Sequence, residues 1–265
     1  MTSRLHGFIM VAVCIAASGP LALARAAVCE AASGPKVLPL VELYTSEGCD
    51  SCPPADRWLS SRFPVAPSAP QASVLTFHVD YWGRLGWKDR FASAQFTAKQ
   101  YAASRAGGET FVYTPQVRVQ GRDMQNWAGN KVAETLATAR GRAAQAEVKL
   151  AVNGATADAV DVRIDVRVPD VGQARRAEVW LAYTESRLVS DVKAGENKGV
   201  RLEHDHVVRT LAGPFVPDAQ GRLDKTVHIA RPAERGRGPT LVAVVQDARN
   251  GDVMQTLSLT GCGTL

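Results

Sequence analysis

The sequence lacks an apolar run long enough to cross a membrane. Its apolar stretch near the N-terminus covers Phe8 to Ala17, about half of the roughly 20 residues that a transmembrane helix needs. Arg4 and His6 precede this stretch and Ala24-Arg25-Ala26 follows it, a pattern typical of a secretory signal peptide with a small-x-small cleavage site. We therefore expect residues 1–26 to be removed, leaving a soluble periplasmic or secreted protein without a membrane span.

A dense run of basic residues is also missing. The chain has 31 Lys and Arg against 26 Asp and Glu, a formal net charge of +5. The signal peptide contains Arg4 and Arg25 and no carboxylate, so the mature chain is only mildly basic. Because nucleic-acid-binding surfaces need clustered basic residues, the scattered Lys and Arg exclude nucleic acid as a partner.

The motifs of several enzyme classes are absent as well. The sequence contains no phosphate-binding glycine loop and no serine nucleophile elbow, so nucleotide enzymes and serine hydrolases lack support. His204 and His206 alternate along a predicted strand and should share one face, but no nearby residue completes a metal site. We interpret both as polar residues on a solvent-exposed face, and we assign no cofactor and no metal ligand.

The mature chain changes character near residue 145. In residues 27–145 apolar runs alternate with helix-like stretches, which is typical of an α/β layer fold. Predicted strands cover Val37–Tyr44, Val74–Val79 and Val117–Val119, and predicted helices cover Ala55–Phe63 and Lys131–Arg142.

Residues 146–265 instead show the two-residue alternation of half-buried strands, clearest from Val160 to Val168. Further strands are predicted at Glu178–Tyr183, His206–Thr210, Lys225–Ile229, Leu241–Gln246 and Val253–Leu259. Short strands separated by turn signals favour an antiparallel β-sandwich-like domain. The chain as a whole is therefore predicted to be α+β, with an α/β domain followed by a sandwich-like domain.

Four cysteines remain after signal cleavage, and an oxidising compartment permits disulfides between them. Three pairings are possible for four cysteines. Cys49 and Cys52 are two residues apart in a predicted turn, whereas Cys29 and Cys262 lie near opposite ends of the mature chain. We predict that Cys29 pairs with Cys262 and ties the two ends down; the alternative is that both are partly buried single thiols.

The C-x-x-C sequence lies where the first predicted strand ends and a helix with Pro53 and Pro54 begins. The positive end of a helix stabilises a thiolate, the nucleophilic form of cysteine. We therefore predict Cys49 as the attacking thiol and Cys52, further in and more buried, as the resolving thiol. The adjacent Asp50 disfavours a second negative charge, so the couple should be less oxidising than a positively flanked pair.

Four segments of the chain resemble an uncharacterised family of secreted bacterial thioredoxin-like proteins, a domain of unknown function. They are T-S-E-G-C-D-S-C-P-P-A-D (45–56), H-V-D-Y-W-G-R-L-G-W-K-D (78–89), V-Y-T-P-Q (112–116) and G-E-N-K-G-V-R-L-E-H (195–204). The resemblance implies a thioredoxin-like fold for residues 27–145 but no settled activity. It also implies a cis peptide bond before Pro115, with Thr114 offering backbone groups to an extended substrate.

Glu42 interrupts the apolar strand before the C-x-x-C. Related oxidoreductases place a buried carboxylate in this strand to accept the proton of the resolving thiol, although the spacing to Cys49 is one residue longer here. The alternative is a strand-end glutamate that reaches solvent.

The aromatic and glycine-rich segment 78–89 offers a further candidate surface. If it folds over the C-x-x-C, its Tyr and Trp residues could bind a partner; the alternative is burial as a small satellite core. His78, with Cys49 and Cys52, would make a three-ligand soft site suited to copper, although a histidine at a strand end is usually structural.

These observations favour a periplasmic thiol–disulfide oxidoreductase that acts on protein thiols or disulfides and docks them through its sandwich-like domain. One alternative is a non-catalytic thioredoxin-fold binding module in which the Cys49–Cys52 bond is a structural staple. Another alternative is a copper-handling protein.

Overall fold

The computed structural model describes residues 29–65, 67, 69–263 and 265. The predicted signal peptide, residues 1–26, lies outside the described residues. Within these ranges, no helix has the length and apolar character needed to cross a membrane. The helices are α1 (Pro53–Arg62), α2 (Ala94–Gly107), α3 (Lys131–Gly141) and α4 (Val171–Ala174), and a 3-10 helix covers Tyr81–Leu85.

The strands are β1 (Glu30–Ala32), β2 (Leu40–Thr45), β3 (Ser73–His78), β4 (Gln116–Val119), β5 (Arg122–Asp123), β6 (Glu147–Ala155), β7 (Ala159–Arg167), β8 (Ala177–Ser186), β9 (Leu188–Asp191), β10 (Arg201–His204), β11 (Val207–Phe215), β12 (Arg222–Ala230), β13 (Arg237–Asp247) and β14 (Val253–Leu259). This mixture of helices and sheets confirms the predicted α+β class.

The largest sheet has eight strands in the order β14-β13-β8-β11-β3-β2-β4-β5. Its centre is parallel: β2 pairs with β3 along their length, and β11 aligns with β3 where Val207 meets Thr76. The outer strands are antiparallel to their neighbours. The sheet therefore combines strands from both sides of residue 145; the division into domains 27–145 and 146–265 stays a prediction.

An antiparallel four-stranded sheet, β1-β6-β7-β12, packs against the eight-stranded sheet. Alternate residues of β7, such as Val162 and Ile164, share one core with Leu181 and Tyr183 of β8 and Ala243 of β13. The alternation in the sequence thus marks strands that bury one face between two sheets.

Alternate residues of β2 enter two other cores. Val41 and Leu43 pack with Leu59 of α1 and Leu136 of α3, while the opposite face of the strand packs with Phe96 of α2. Because α1 is anchored on the first face, the loop between β2 and α1 is held against the end of the sheet.

The predicted bond between Cys29 and Cys262 is confirmed. The two residues form a disulfide with their Cα atoms 5.7 Å apart, and both are partly buried against the core between the sheets. The alternative of two single thiols is wrong.

Candidate functional site

The C-x-x-C occupies the loop between β2 and α1, as predicted. Cys49 and Cys52 form a disulfide with a Cα–Cα distance of 5.4 Å. Cys52 is the residue that caps the start of α1, and its carbonyl accepts hydrogen bonds from the N–H groups of Ala55 and Asp56. Both prolines fall in the first helical turn, where a missing N–H removes no helical bond. Cys49 therefore precedes the helix rather than beginning it.

Thr114 and Pro115 lie beside Cys49. The peptide bond between them is cis, as the family resemblance implies. The Thr114 hydroxyl donates a hydrogen bond to Cys49 Sγ at 3.4 Å and accepts one from Trp82 Nε1 at 2.8 Å. Ser51 Oγ is also 3.4 Å from Cys49 Sγ. The attacking thiol predicted from the sequence thus has two hydroxyl neighbours.

Both cysteines of the pair are covered. Cys49 and Cys52 each have 0% relative exposure, so the prediction that Cys52 is the more buried of the two is wrong for the oxidised protein. A Cβ atom at Gly48 would come within 3.0 Å of Trp82 Cβ. Asn197 donates to the backbone oxygens of Glu47 and Cys49, both at 2.9 Å.

We call Trp82 and Asn197, with the segments that carry them, the cover. Because both cysteines have 0% relative exposure, we expect that neighbouring residues must move before a partner thiol reaches the disulfide. The aromatic segment 78–89 thus lies against the C-x-x-C loop, as one sequence interpretation required; whether it binds a partner stays a prediction.

A cluster of histidines and carboxylates lies under the same loop. We call it the histidine–carboxylate cluster; its members are Glu47, Asp56, His78, Asp89 and His204, and all five are buried. His78 Nδ1 is 2.7 Å from Asp89 Oδ2, and that oxygen also accepts from the Glu47 N–H at 2.9 Å. Burial raises the pKa of Asp89, but the charge and hydrogen bond of His78 and the backbone N–H groups outweigh it, so the pKa lies below its usual value.

His204 lies between two carboxylates of this cluster. Its Nε2 is 3.4 Å from Glu47 Oε1 and its Nδ1 is 3.7 Å from Asp56 Oδ1. Burial lowers the pKa of His204, but its interactions with Asp56 and Glu47 outweigh burial and raise the pKa to about 10. In the absence of another ligand, His204 is therefore an imidazolium at neutral pH.

The sequence interpretation of His204 and His206 as one solvent-exposed face is wrong. His204 ends β10, which packs against α1, and its exposure is 3%. The chain then turns through His206, whose φ is +56°. His206 points instead to the Phe63 carbonyl, with Nε2 2.9 Å from that oxygen.

Sequence reasoning missed Glu47, Asp56, Asp89 and His204 as a group. A signal was nevertheless present, because the four segments that carry the family resemblance all converge on the C-x-x-C loop. They supply the disulfide, the cover, the Thr114–Pro115 pair and all five members of the histidine–carboxylate cluster.

Glu42 lies away from this group. It is buried on β2, at 3% exposure, and its Oε1 is 3.7 Å from Lys99 Nζ of α2. The strand-end alternative, in which Glu42 reaches solvent, is wrong. Its side chain faces α2 rather than α1, and its role as a proton acceptor stays a prediction.

The His78 ring contacts other members of the histidine–carboxylate cluster. Its ring centroid is 4.8 Å from that of His204, and its other contacts are with Asp89 and Phe91. The copper site predicted from His78, Cys49 and Cys52 stays a prediction.

The chain was compared with known proteins. The family model described as "Protein of unknown function (DUF1223)" matches residues 40–246. A search of curated proteins found no match. The crystal structure of an Agrobacterium tumefaciens protein, a structural genomics target, is similar at 27% identity and a TM-score of 0.60, covering 88% of this chain and 98% of that one.

A second solved structure is HBP35 of Porphyromonas gingivalis. It is 15% identical, with a TM-score of 0.58, and the match covers 84% of this chain and 74% of that one. At this identity the similarity shows a shared fold alone.

Proposed function

The chain belongs to the DUF1223 family, whose function is unknown, and we propose that it is a periplasmic or secreted thiol–disulfide oxidoreductase using the Cys49/Cys52 pair. The observation that carries the proposal is the hydrogen bond from the Thr114 hydroxyl to Cys49 Sγ at 3.4 Å. A donor at this atom stabilises a thiolate there more than a thiol. In this proposal residues 27–145 act as a thioredoxin-like domain, and residues 146–265 dock the partner.

The exchange proceeds in two steps that balance. In the reduced protein the Cys49 thiolate attacks a partner disulfide, forming a mixed disulfide and releasing one partner thiolate, which takes up a proton. The Cys52 thiolate then attacks Cys49 Sγ, closes the intramolecular disulfide and releases the second partner thiolate. Two electrons pass from the dithiol to the partner, and the reverse sequence oxidises a partner dithiol.

Three features tune this couple. The start of α1, which Cys52 caps, favours the thiolate form of the cysteine pair over the thiol form. Asp50 is exposed beside Cys49 and opposes it, so we expect a less oxidising couple than one with a positive neighbour. We also propose Glu42 as the proton acceptor of Cys52, although its carboxylate pairs with Lys99 on the face of β2 opposite α1. Glu42→Gln removes the carboxylate and tests this role.

An extracytoplasmic location is consistent with both disulfides, since structural disulfides persist mainly in oxidising compartments. The signal peptide predicted from the sequence at residues 1–26 supports the same location.

A second candidate function is a binding module in which the Cys49–Cys52 bond is a staple. The observation that favours it is the 0% exposure of both cysteines, because redox-active cysteines are normally accessible. The Cys29–Cys262 bond provides an internal comparison, since it is a disulfide without the C-x-x-C setting.

The reduction potential of the Cys49–Cys52 bond separates the two functions. The protein is equilibrated in dithiol redox buffers and its free thiols are alkylated. Mass spectrometry then gives the fraction of protein in which each disulfide is reduced. An oxidoreductase should give a reduction potential above about −300 mV, because structural disulfides typically have potentials below this value. A potential below that of the Cys29–Cys262 bond would refute the proposal and favour the staple.

Trapping provides the second measurement. Cys52→Ala in the reduced protein should accumulate mixed disulfides with a model disulfide substrate, because no resolving thiol remains. Cys49→Ala is the matched control and should accumulate none. Equal trapping by both variants would contradict the assignment of Cys49 as the attacking thiol.

A further inference from the structure

We propose that Asp56, His78 and His204 form a binding site for a divalent transition-metal cation, with Zn²⁺ as the representative ion. One ligand atom from each residue lies within 4.8 Å of the other two, and all three side chains are buried. The proposal does not depend on redox activity at Cys49, because no cysteine belongs to this ligand set.

The ligand atoms must move together on binding. Zinc ligands lie about 2.0–2.2 Å from the ion, so two ligands of a tetrahedral ion are about 3.4 Å apart. The 3.7 Å between His204 Nδ1 and Asp56 Oδ1 is already close to this value, and ligand atoms up to 4.8 Å apart would close by about 1 Å or slightly more. Two imidazoles and one carboxylate suit Zn²⁺, Fe²⁺, Ni²⁺ or Cu²⁺ rather than Mg²⁺ or Ca²⁺, which prefer oxygen ligands alone.

His78 carries the argument that the cluster is built for a ligand. Its Nδ1 faces Asp89 Oδ2 at 2.7 Å, which leaves Nε2 as the ring nitrogen available to a cation. That Nε2 is fully buried and finds no hydrogen-bond partner within the part of the chain that the structure describes. A buried polar atom without a partner costs free energy, and coordination of a cation by Nε2 would remove that cost.

Each proposed ligand is also held from behind by a second group. Asp89 orients His78, and Glu47 Oε1 lies 3.4 Å from Nε2 of His204. This leaves Nδ1 of His204 toward Asp56 Oδ1, at 3.7 Å. Carboxylates that orient the far nitrogen of a histidine are typical of metal-bound histidines.

Asp56 has the same two-sided arrangement. Its Oδ2 accepts a hydrogen bond from the Thr45 hydroxyl at 2.9 Å, so Oδ1 is the oxygen left for the ion. Three protein ligands leave one position of a tetrahedral ion for a water molecule.

The test is a calorimetric titration of the full mature chain with ZnCl₂, without a histidine tag and with both disulfides intact. We expect one Zn²⁺ per chain, no heat from Mg²⁺ or Ca²⁺, and visible ligand-field absorption when Co²⁺ replaces Zn²⁺. His204→Ala and His78→Ala should weaken Zn²⁺ binding by more than the roughly 10- to 100-fold expected for Asp89→Asn, which removes only an orienting group.

His228→Ala is the matched control, because His228 also pairs with an aspartate, Asp161, at 2.8 Å, but is exposed. It should bind Zn²⁺ as the unchanged protein does. If His78→Ala does not fold, as judged by circular dichroism, Asp89→Asn takes its place in the test. It keeps all three ligands and should weaken Zn²⁺ binding by roughly 10- to 100-fold.

Three results would overturn the proposal. They are no Zn²⁺ binding by the oxidised protein, binding that survives both His78→Ala and His204→Ala, and binding that appears only after the Cys49–Cys52 bond is reduced. The first result would mean that His204 is held by a proton and two carboxylates alone. The last would assign the ion to the thiolates.

Discussion

Replacing Thr114 by valine tests whether the hydroxyl next to Cys49 tunes its chemistry. The substitution keeps the branched shape but removes the O–H that lies 3.4 Å from Cys49 Sγ. A hydrogen bond to a charged group contributes about 1.5–3 kcal/mol, and a tenfold change in population corresponds to about 1.4 kcal/mol. The Cys49 thiolate of the reduced protein should therefore become about 10- to 100-fold less populated where the thiol form dominates.

The same free energy shifts the redox couple. Since about 30 mV corresponds to 1.4 kcal/mol for a two-electron couple, loss of a bond that stabilises the reduced form should make the potential about 30–60 mV more negative. The assays are the rate of iodoacetamide reaction of the reduced protein at pH 6 and the potential in dithiol buffers.

Two control variants separate this effect from a general disturbance. Thr114→Ser keeps the hydroxyl and should behave as the unchanged protein. Trp82→Phe removes the indole N–H that donates to Thr114 at 2.8 Å and keeps a smaller aromatic ring, and should change the rate less than Thr114→Val does. A Thr114→Val protein with the original alkylation rate and potential would refute the reasoning.

Further predictions concern the ends, the cover and a buried charge. Replacing Cys29 and Cys262 by serine opens a loop with a sequence separation of 233, and should lower the free energy of unfolding in urea by up to about 5 kcal/mol; a change near zero contradicts this. Trp82→Ala should speed reduction of the Cys49–Cys52 bond by dithiothreitol, because it removes the indole that donates to Thr114 beside Cys49; an unchanged rate means that the indole does not limit access. Glu109→Gln should lower unfolding free energy by about 3 kcal/mol, because fully buried Arg118 loses its ion-pair partner; a loss below 1 kcal/mol, roughly that of a surface pair, contradicts it.

The apolar pattern located many elements of the chain to within a few residues. The strand predicted at Val253–Leu259 has those bounds in the structure, and the helix predicted at Lys131–Arg142 ends one residue earlier. Strand β14 is buried on both faces and α3 on one, and in both cases the apolar residues that mark the element are close together in the sequence.

Helix α2 is not predicted by the sequence pattern, although residues typical of helix ends flank it. Ser93 caps its start by accepting from the Gln95 N–H, and Gly108 ends it with φ +81°. Its buried face, however, includes Lys99 and Gln100, which interrupt the apolar periodicity that would reveal a helix.

The long-range features could not be predicted in the same way. The contact between Thr76 and Val207 that joins the two halves of the eight-stranded sheet links residues far apart in the chain. The histidine–carboxylate cluster also depends on long-range contacts. The sequence predicts a solvent-exposed His204, but the turn at His206 and the packing of β10 on α1 bury it. The cysteine pairing could be predicted, because four cysteines allow only three pairings and Cys49 and Cys52 are separated by two residues in the sequence.

The Cys29–Cys262 bond makes the polypeptide between them a covalent ring, with the two Cα atoms 5.7 Å apart. A single proteolytic cut in an exposed loop of such a ring opens it without releasing a fragment. The nicked protein keeps the mass of one molecule on a non-reducing gel and separates into two pieces only when that bond is reduced. Proteolytic damage at one loop therefore leaves both halves of the eight-stranded sheet attached to each other.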